Sequence, residues 1–173
     1  MTQVSVVPPP EGVFVPVPTF FKSADSSPST RQPPLDIETQ CRHSVYLAQA
    51  GIHGLVLLGS TGEAIHLSRS ERILLISSVR KALTEAGFID YPIMGGVLTN
   101  SVDEALEWLE DANQAGAQWG LVLVPGYFGG AVNQENVQEW YKKVADESPI
   151  GILMYVFAHY ECACRYQRAN LTW

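Results

Sequence analysis

Cysteine is scarce: Cys41, Cys162 and Cys164 are the three in 173 residues, too few for the disulfide framework of a small secreted domain. No run of about eighteen apolar residues occurs, so no membrane-spanning helix is expected. The opening Met-Thr-Gln-Val-Ser-Val-Val-Pro-Pro-Pro lacks the basic region and apolar core of a secretory leader. No arginine precedes Arg31, which argues against a mitochondrial presequence, and a reduced, cytoplasmic setting is the expectation. Basic clusters are also missing; the longest like-charge run is Lys142-Lys143, and the formal net charge is −7. A nucleic-acid partner is not expected of such a chain, because phosphate neutralisation requires a basic face. His43, His53, His66 and His159 show no ligand spacing, and Cys162 with Cys164 has no second pair, so no metal is expected. Gly95-Gly96 is not a GxGxxG fingerprint, so neither a dinucleotide nor any other cofactor is expected. Lysine stops early: none follows Lys143.

The chain does contain a regular alternation. Residues 1–12 are Pro-rich and read as a loose arm. The apolar run from Gly12 to Phe20 reads as a first strand, followed by a Ser/Pro-rich loop over 22–34. Asp36 is a candidate N-cap for a helix reaching about Ala50, which Gly51 ends. His53–Leu58 is a short, continuous apolar run, as expected of a strand buried on both faces. Ser68 and Glu71 have capping-box spacing at the start of a helix whose apolar stripe is Ile73, Leu74, Ile76, Val79 and Leu83. Pro92–Val97 is a third strand; Ser101 and Glu104 repeat the capping-box spacing before a helix carrying Ala105, Leu106, Trp108, Leu109 and Ala112. Trp119–Val124 is a fourth strand, about Gln134 to Glu147 a helix, and Pro149–Tyr155 a fifth strand. The order βαβαβαβαβ implies parallel strands joined by right-handed crossovers. An open doubly wound sheet and part of a closed barrel both fit that periodicity. From Ala158 to Trp173 neither strand nor helix period is present, so this segment is expected to be a disordered tail outside the domain of residues 1–157.

Gly59-Ser60-Thr61-Gly62-Glu63, directly after the second strand, is the strongest chemical signal. Loops at the carboxyl ends of parallel strands form the active face of α/β proteins. Glycines let backbone N–H groups converge on an anion, and two adjacent hydroxyls add donors. Such a loop suits a carboxylate; a tight strand-to-helix turn would use the same residue types. Lys81, Lys142 and Lys143 fall on helix surfaces, and Lys22 follows the first strand. An exposed lysine stays protonated and is a weak nucleophile.

Three segments in order carry a family resemblance: Ala50 to Ala64 with Leu67-Ser68-Arg69-Ser70-Glu71-Arg72, then Pro125-Gly126-Tyr127-Phe128, then Pro149 to Tyr155. They resemble the dihydrodipicolinate synthase and N-acetylneuraminate lyase family of class I aldolases, closest to its 4-hydroxy-2-oxoglutarate and deoxy-sugar-acid aldolase branch. The resemblance covers residues 12–155 and implies a partial (β/α)8 TIM barrel with five of eight strands. It implies that Ser60 and Thr61, flanked by Gly59 and Gly62, hold the carboxylate of pyruvate or another 2-keto acid. Tyr127 and Tyr155 would belong to a hydroxyl relay that moves protons. The family's reaction also needs a lysine near the end of the sixth strand, which forms an imine with the keto carbon. That lysine is missing here; Val156 stands in place of the family's Asn or Ser, and Ala158 in place of its Pro. The resemblance implies an aldolase or lyase that forms or breaks a C–C bond of a 2-keto acid through that imine, with this chain inactive alone; the alternatives are a non-catalytic fragment that binds a keto acid or a partner, or a flavodoxin-like anion-binding domain. Its open sheet edges are expected to self-associate.

Overall fold

The computed structural model describes residues 7–23, 32–127 and 133–155. The 158–173 segment lies outside the described residues. Five strands alternate with four helices: β1 (Phe14–Pro16), α1 (Ile37–Gln49), β2 (Gly54–Leu57), α2 (Arg69–Glu85), β3 (Ile93–Val97), α3 (Val102–Gln114), β4 (Trp119–Leu123), α4 (Gln134–Glu147) and β5 (Gly151–Tyr155). A short 3-10 turn, Ala64–His66, precedes α2. All strands are parallel and lie in the order β1-β2-β3-β4-β5. A doubly wound sheet reverses its strand order at a switch point. This sheet never reverses, so it is the wall of a partial (β/α)8 barrel. Among the described residues no helix is long and apolar enough to cross a membrane.

The helix starts follow local chemistry. Asp36 caps α1, its carboxylate accepting from Thr39 N. Ser68 and Glu71 form the complete capping box of α2. At α3 only half of the expected box forms: Ser101 accepts from Glu104 N, while the Glu104 carboxylate turns to the Thr99 hydroxyl. The α2 stripe also differs by one residue from the sequence reading. Leu74 is 49% exposed, whereas Leu75 is buried with Ile76, Val79 and Leu83. A period of 3.6 leaves adjacent leucines at the stripe's edge undecided; packing against the sheet chooses between them.

Register separates the two faces of the sheet. Gly95 faces the helices, since a Cβ there would meet Ala112, Ile76 and Ala117. Its partners Leu57 and Gly120 therefore face the helices too. The alternate residues Val56, Met94, Gly96, Leu121, Leu123, Leu153 and Tyr155 share the opposite, inner face. The core lies between sheet and helices, around Leu55, Leu57, Leu75, Leu83, Ile93 and Leu109. An Arg69–Asp111 pair, with both guanidinium–carboxylate bonds at 2.8 Å, ties α2 to α3 beside Arg72, which stacks 3.6 Å over the Trp108 ring.

Candidate functional site

The loop after β2 is built by local constraint. Leu58 enters it at φ 60° and Glu63 leaves it at φ 53°, both in the left-handed region that residues other than glycine rarely occupy. Such backbone persists only where surrounding packing over-determines it, and it clusters at ligand-binding sites. Here the packing is visible. Leu58 is buried, and a Cβ on Gly96 would fall 2.0 Å from the Leu58 carbonyl oxygen. Only a residue without a side chain lets the loop lie so close to β3. A Cβ on Gly62 would come 2.9 Å from the Leu58 amide nitrogen, so the loop also closes tightly on itself.

Two turn bonds shape it: Gly62 N donates to the Gly59 carbonyl at 3.0 Å and Glu63 N to the Ser60 carbonyl at 3.2 Å. The Thr19 hydroxyl donates to the Gly62 carbonyl at 2.5 Å. The amides of Ser60 and Thr61 have no acceptor among the described residues, and both residues are exposed. Two N–H groups without an acceptor among the described residues, beside two hydroxyls at the carboxyl end of a strand, can donate to a carboxylate or a comparable anion. At the far end of the loop, Arg72 donates to the Leu67 carbonyl at 2.8 Å and anchors it to α2.

Tyr155 ends β5. It pairs with Leu123, its carbonyl accepts from Val124 N, and it is half-buried. It shares the inner face with Gly96 and thus the face and end of the sheet over which the Gly59–Gly62 loop folds. Tyr127 lies in the loop after β4, 79% exposed, with its amide held by the Asn100 side chain from the loop after β3. The loops after β2, β3 and β4 and the end of β5 thus gather at one rim. Sequence reasoning missed Thr19, Gly96 and Asn100 as parts of this rim. Gly95-Gly96 was visible as an unusual pair; nothing local marks Thr19, whose partner is 43 residues away.

Several other nucleophiles and bases lie elsewhere. Lys81 pairs with Glu85, Lys142 with Glu139 and Lys143 with Glu147, all on helix surfaces. Hydrogen bonds to their carboxylates raise the pKa of Lys142 and Lys143, which disfavours a free amine. Burial pushes the Cys41 thiol up, away from the thiolate. His53 is structural, its Nδ1 accepting from Val13 N at 3.1 Å. Among the described residues no three His, Cys, Asp or Glu side chains converge as a metal site requires.

Comparison with known proteins places the chain among relatives. Residues 21–160 match the model of the dihydrodipicolinate synthetase family. The chain is 41% identical over 145 residues to an L-threo-3-deoxy-hexylosonate aldolase of Aspergillus niger, covering 83% of this chain and 41% of that protein. It is 41% identical over 149 residues to a Coccidioides immitis protein provisionally named as a mitochondrial 4-hydroxy-2-oxoglutarate aldolase, covering 86% and 44%. Among solved structures it is similar, at TM-score 0.69 and 27% identity, to a prophage protein of the dihydrodipicolinic acid synthase family from E. coli K12 in complex with pyruvate, covering 84% and 44%. The chain therefore spans less than half the length of these relatives.

Proposed function

The chain belongs to the dihydrodipicolinate synthetase family, and from that premise we propose that it carries the keto-acid-binding rim of a class I aldolase. The observation that carries the reading is the Gly59–Gly62 loop, whose Ser60 and Thr61 amides lack protein acceptors among the described residues. In this reading Ser60 and Thr61 hold the carboxylate of pyruvate or a similar 2-keto acid. Tyr155 stands on the inner face where the keto carbon would lie, and Tyr127 joins it in moving protons. The relatives support the substrate class, being an aldolase of a deoxy sugar acid and a protein solved with pyruvate.

The reaction itself needs an amine that attacks the keto carbon, expels water and leaves a protonated imine as electron sink. No lysine follows Lys143, and three of the four lysines present are paired on helix surfaces. The 173-residue chain by itself is therefore read as binding a keto acid without forming the imine. A cytosolic setting is part of the reading, resting on the reduced-thiol composition against the mitochondrial name of the Coccidioides relative.

The test is a pyruvate titration followed by amide chemical shifts, with borohydride reduction and intact-mass measurement in parallel. Shifts centred on residues 59–62 at millimolar pyruvate, with no mass added, are expected. Absence of shifts in the loop at about 50 mM overturns the carboxylate reading, since even weak ligands of this kind bind in the millimolar range. A stoichiometric adduct on any lysine overturns the claim that the chain cannot form the imine.

A further inference from the structure

The anion loop does not hold its shape by its own bonds alone. We propose that Thr19 is a positioning residue for the keto-acid site: its hydroxyl fixes the Gly62 carbonyl inward and so keeps the Ser60 and Thr61 amides turned out towards the ligand. The proposal rests on the reading of that loop as the carboxylate site, and it adds a residue from a different part of the chain.

The geometry is a brace from α1 through the segment after β1 to the loop. Gln40, 1% exposed on α1, accepts from Phe20 N through Oε1 at 3.1 Å. Val17 N donates to the Val56 carbonyl at 3.0 Å, holding the same segment alongside β2. Thr19 is fixed between these two anchors and is 8% exposed. Its Oγ1 therefore reaches the Gly62 carbonyl from a position it cannot easily leave.

The consequence follows from the peptide unit. The Gly62 carbonyl is buried, and a buried carbonyl without a donor is costly. With Thr19 present it is satisfied facing inward. Without that hydroxyl, the Gly62–Glu63 peptide gains by rotating its oxygen towards water, and the exposed residues of this loop are Ser60, Thr61 and Glu63. A carbonyl oxygen turned there would set partial negative charge against an incoming carboxylate. It would also release the left-handed geometry at Glu63, which the present orientation of that peptide accompanies. Gly62 permits such a rotation more readily than any other residue would.

The experiment compares Thr19→Val, which keeps the shape and loses the donor, with Thr19→Ser, which keeps the donor, in the full 173-residue chain. Two readouts are taken: amide hydrogen exchange at Gly62 and Glu63, and pyruvate affinity from the amide titration. Thr19→Val should speed exchange at those two amides at least about tenfold, leave the amides of α3 at their original rates, and weaken pyruvate binding by a similar factor. Thr19→Ser should restore both to within about twofold of the original. Thr19→Ala gives the same comparison should Thr19→Val fail to fold.

Equal acceleration across the loop and α3 would mean that Thr19 serves only global stability, and would overturn the proposal. So would unchanged loop exchange in Thr19→Val, or faster loop exchange with unaltered pyruvate affinity. If the original chain binds no pyruvate, the carboxylate reading fails, and with it the ligand role given to Thr19. The exchange data would then still report whether the hydroxyl holds the loop.

Discussion

β2 and β5 are similar as sequences, Gly-Leu-Val-Leu against Gly-Ile-Leu-Met-Tyr, yet every residue of β2 is buried and none of β5 is. β3 resembles β2 in this respect. The cause is position in the sheet. β2 and β3 each have a strand on both sides and helices packed on one face, whereas β5 pairs only with β4 among the described residues. β4, between them, alternates: Gly120 and Val122 are buried against the helices, while Trp119, Leu121 and Leu123 on the inner face are half-buried. Apolar composition thus states a capacity for burial, and neighbours decide how much of it is used.

The largest test of this contrast is Gly96→Ala at the packed centre. The added Cβ meets the Leu58 carbonyl oxygen at 2.0 Å, which backbone cannot avoid by rotating a side chain. A loss above about 3 kcal/mol, or failure to fold, is expected in urea melting followed by circular dichroism. A loss under about 1 kcal/mol would show that loop and strand are less tightly fitted than the geometry says.

Next comes a matched pair of truncations. Leu109→Ala, fully buried on α3 against Gly120, should cost about 2–5 kcal/mol. Ile152→Ala on β5, half-buried, should cost roughly half as much or less, because less surface leaves water. Equal losses would break the comparison and place β5 in a core as complete as that of β2.

The outer edge of β5, unpaired among the described residues, gives a third test. An unpaired strand edge offers N–H and C=O groups to any other chain. The isolated chain should therefore sediment with a concentration-dependent mass, or prove too unstable to melt cooperatively. Met154→Lys, at a side chain already 41% exposed, should raise the monomer fraction while changing stability by under about 0.5 kcal/mol. A compact monomer at every concentration, with one cooperative transition, would argue that β5 is not an open edge.

The smallest effect concerns the start of α1, far from that edge. Bonds from Thr39, first its backbone N–H and then its hydroxyl, hold the Asp36 carboxyl below its ordinary value of 3.8. A carboxyl with a depressed pKa in the folded chain contributes fully above its unfolded pKa and loses that contribution as pH falls through the folded one. Stability should therefore drop slightly more below about pH 4 in the original chain than in Asp36→Asn, which keeps an acceptor but has no charge to lose. Identical acid limbs in pH-dependent melting would remove Asp36 from the account.

Much of this architecture is legible in the sequence. Ser68 and Glu71 marked the start of α2, Asp36 that of α1, and the span of α4 was read as it stands, because caps and apolar periods are local properties. The loop Gly59–Glu63 was legible as a candidate anion site for the same reason, since its donors are consecutive residues. Glu104 was misread as a reciprocal cap because a competing hydroxyl, Thr99, lies within reach of its carboxylate. Leu74 was misread because a helical period does not rank two adjacent leucines, and only the sheet beneath buried Leu75.

By itself, then, the sequence determined the alternation of strands and helices, the helix caps, the order of the motifs and the absence of any lysine after Lys143. Those are properties of neighbours along the chain. Tertiary structure alone decided that the strands run in unreversed order, that Tyr155 shares the inner face with Gly96, and that the Thr19 hydroxyl meets the Gly62 carbonyl 43 residues away. Such contacts depend on which surfaces the sheet brings together, and no local propensity encodes the distance between residues so far apart in the chain.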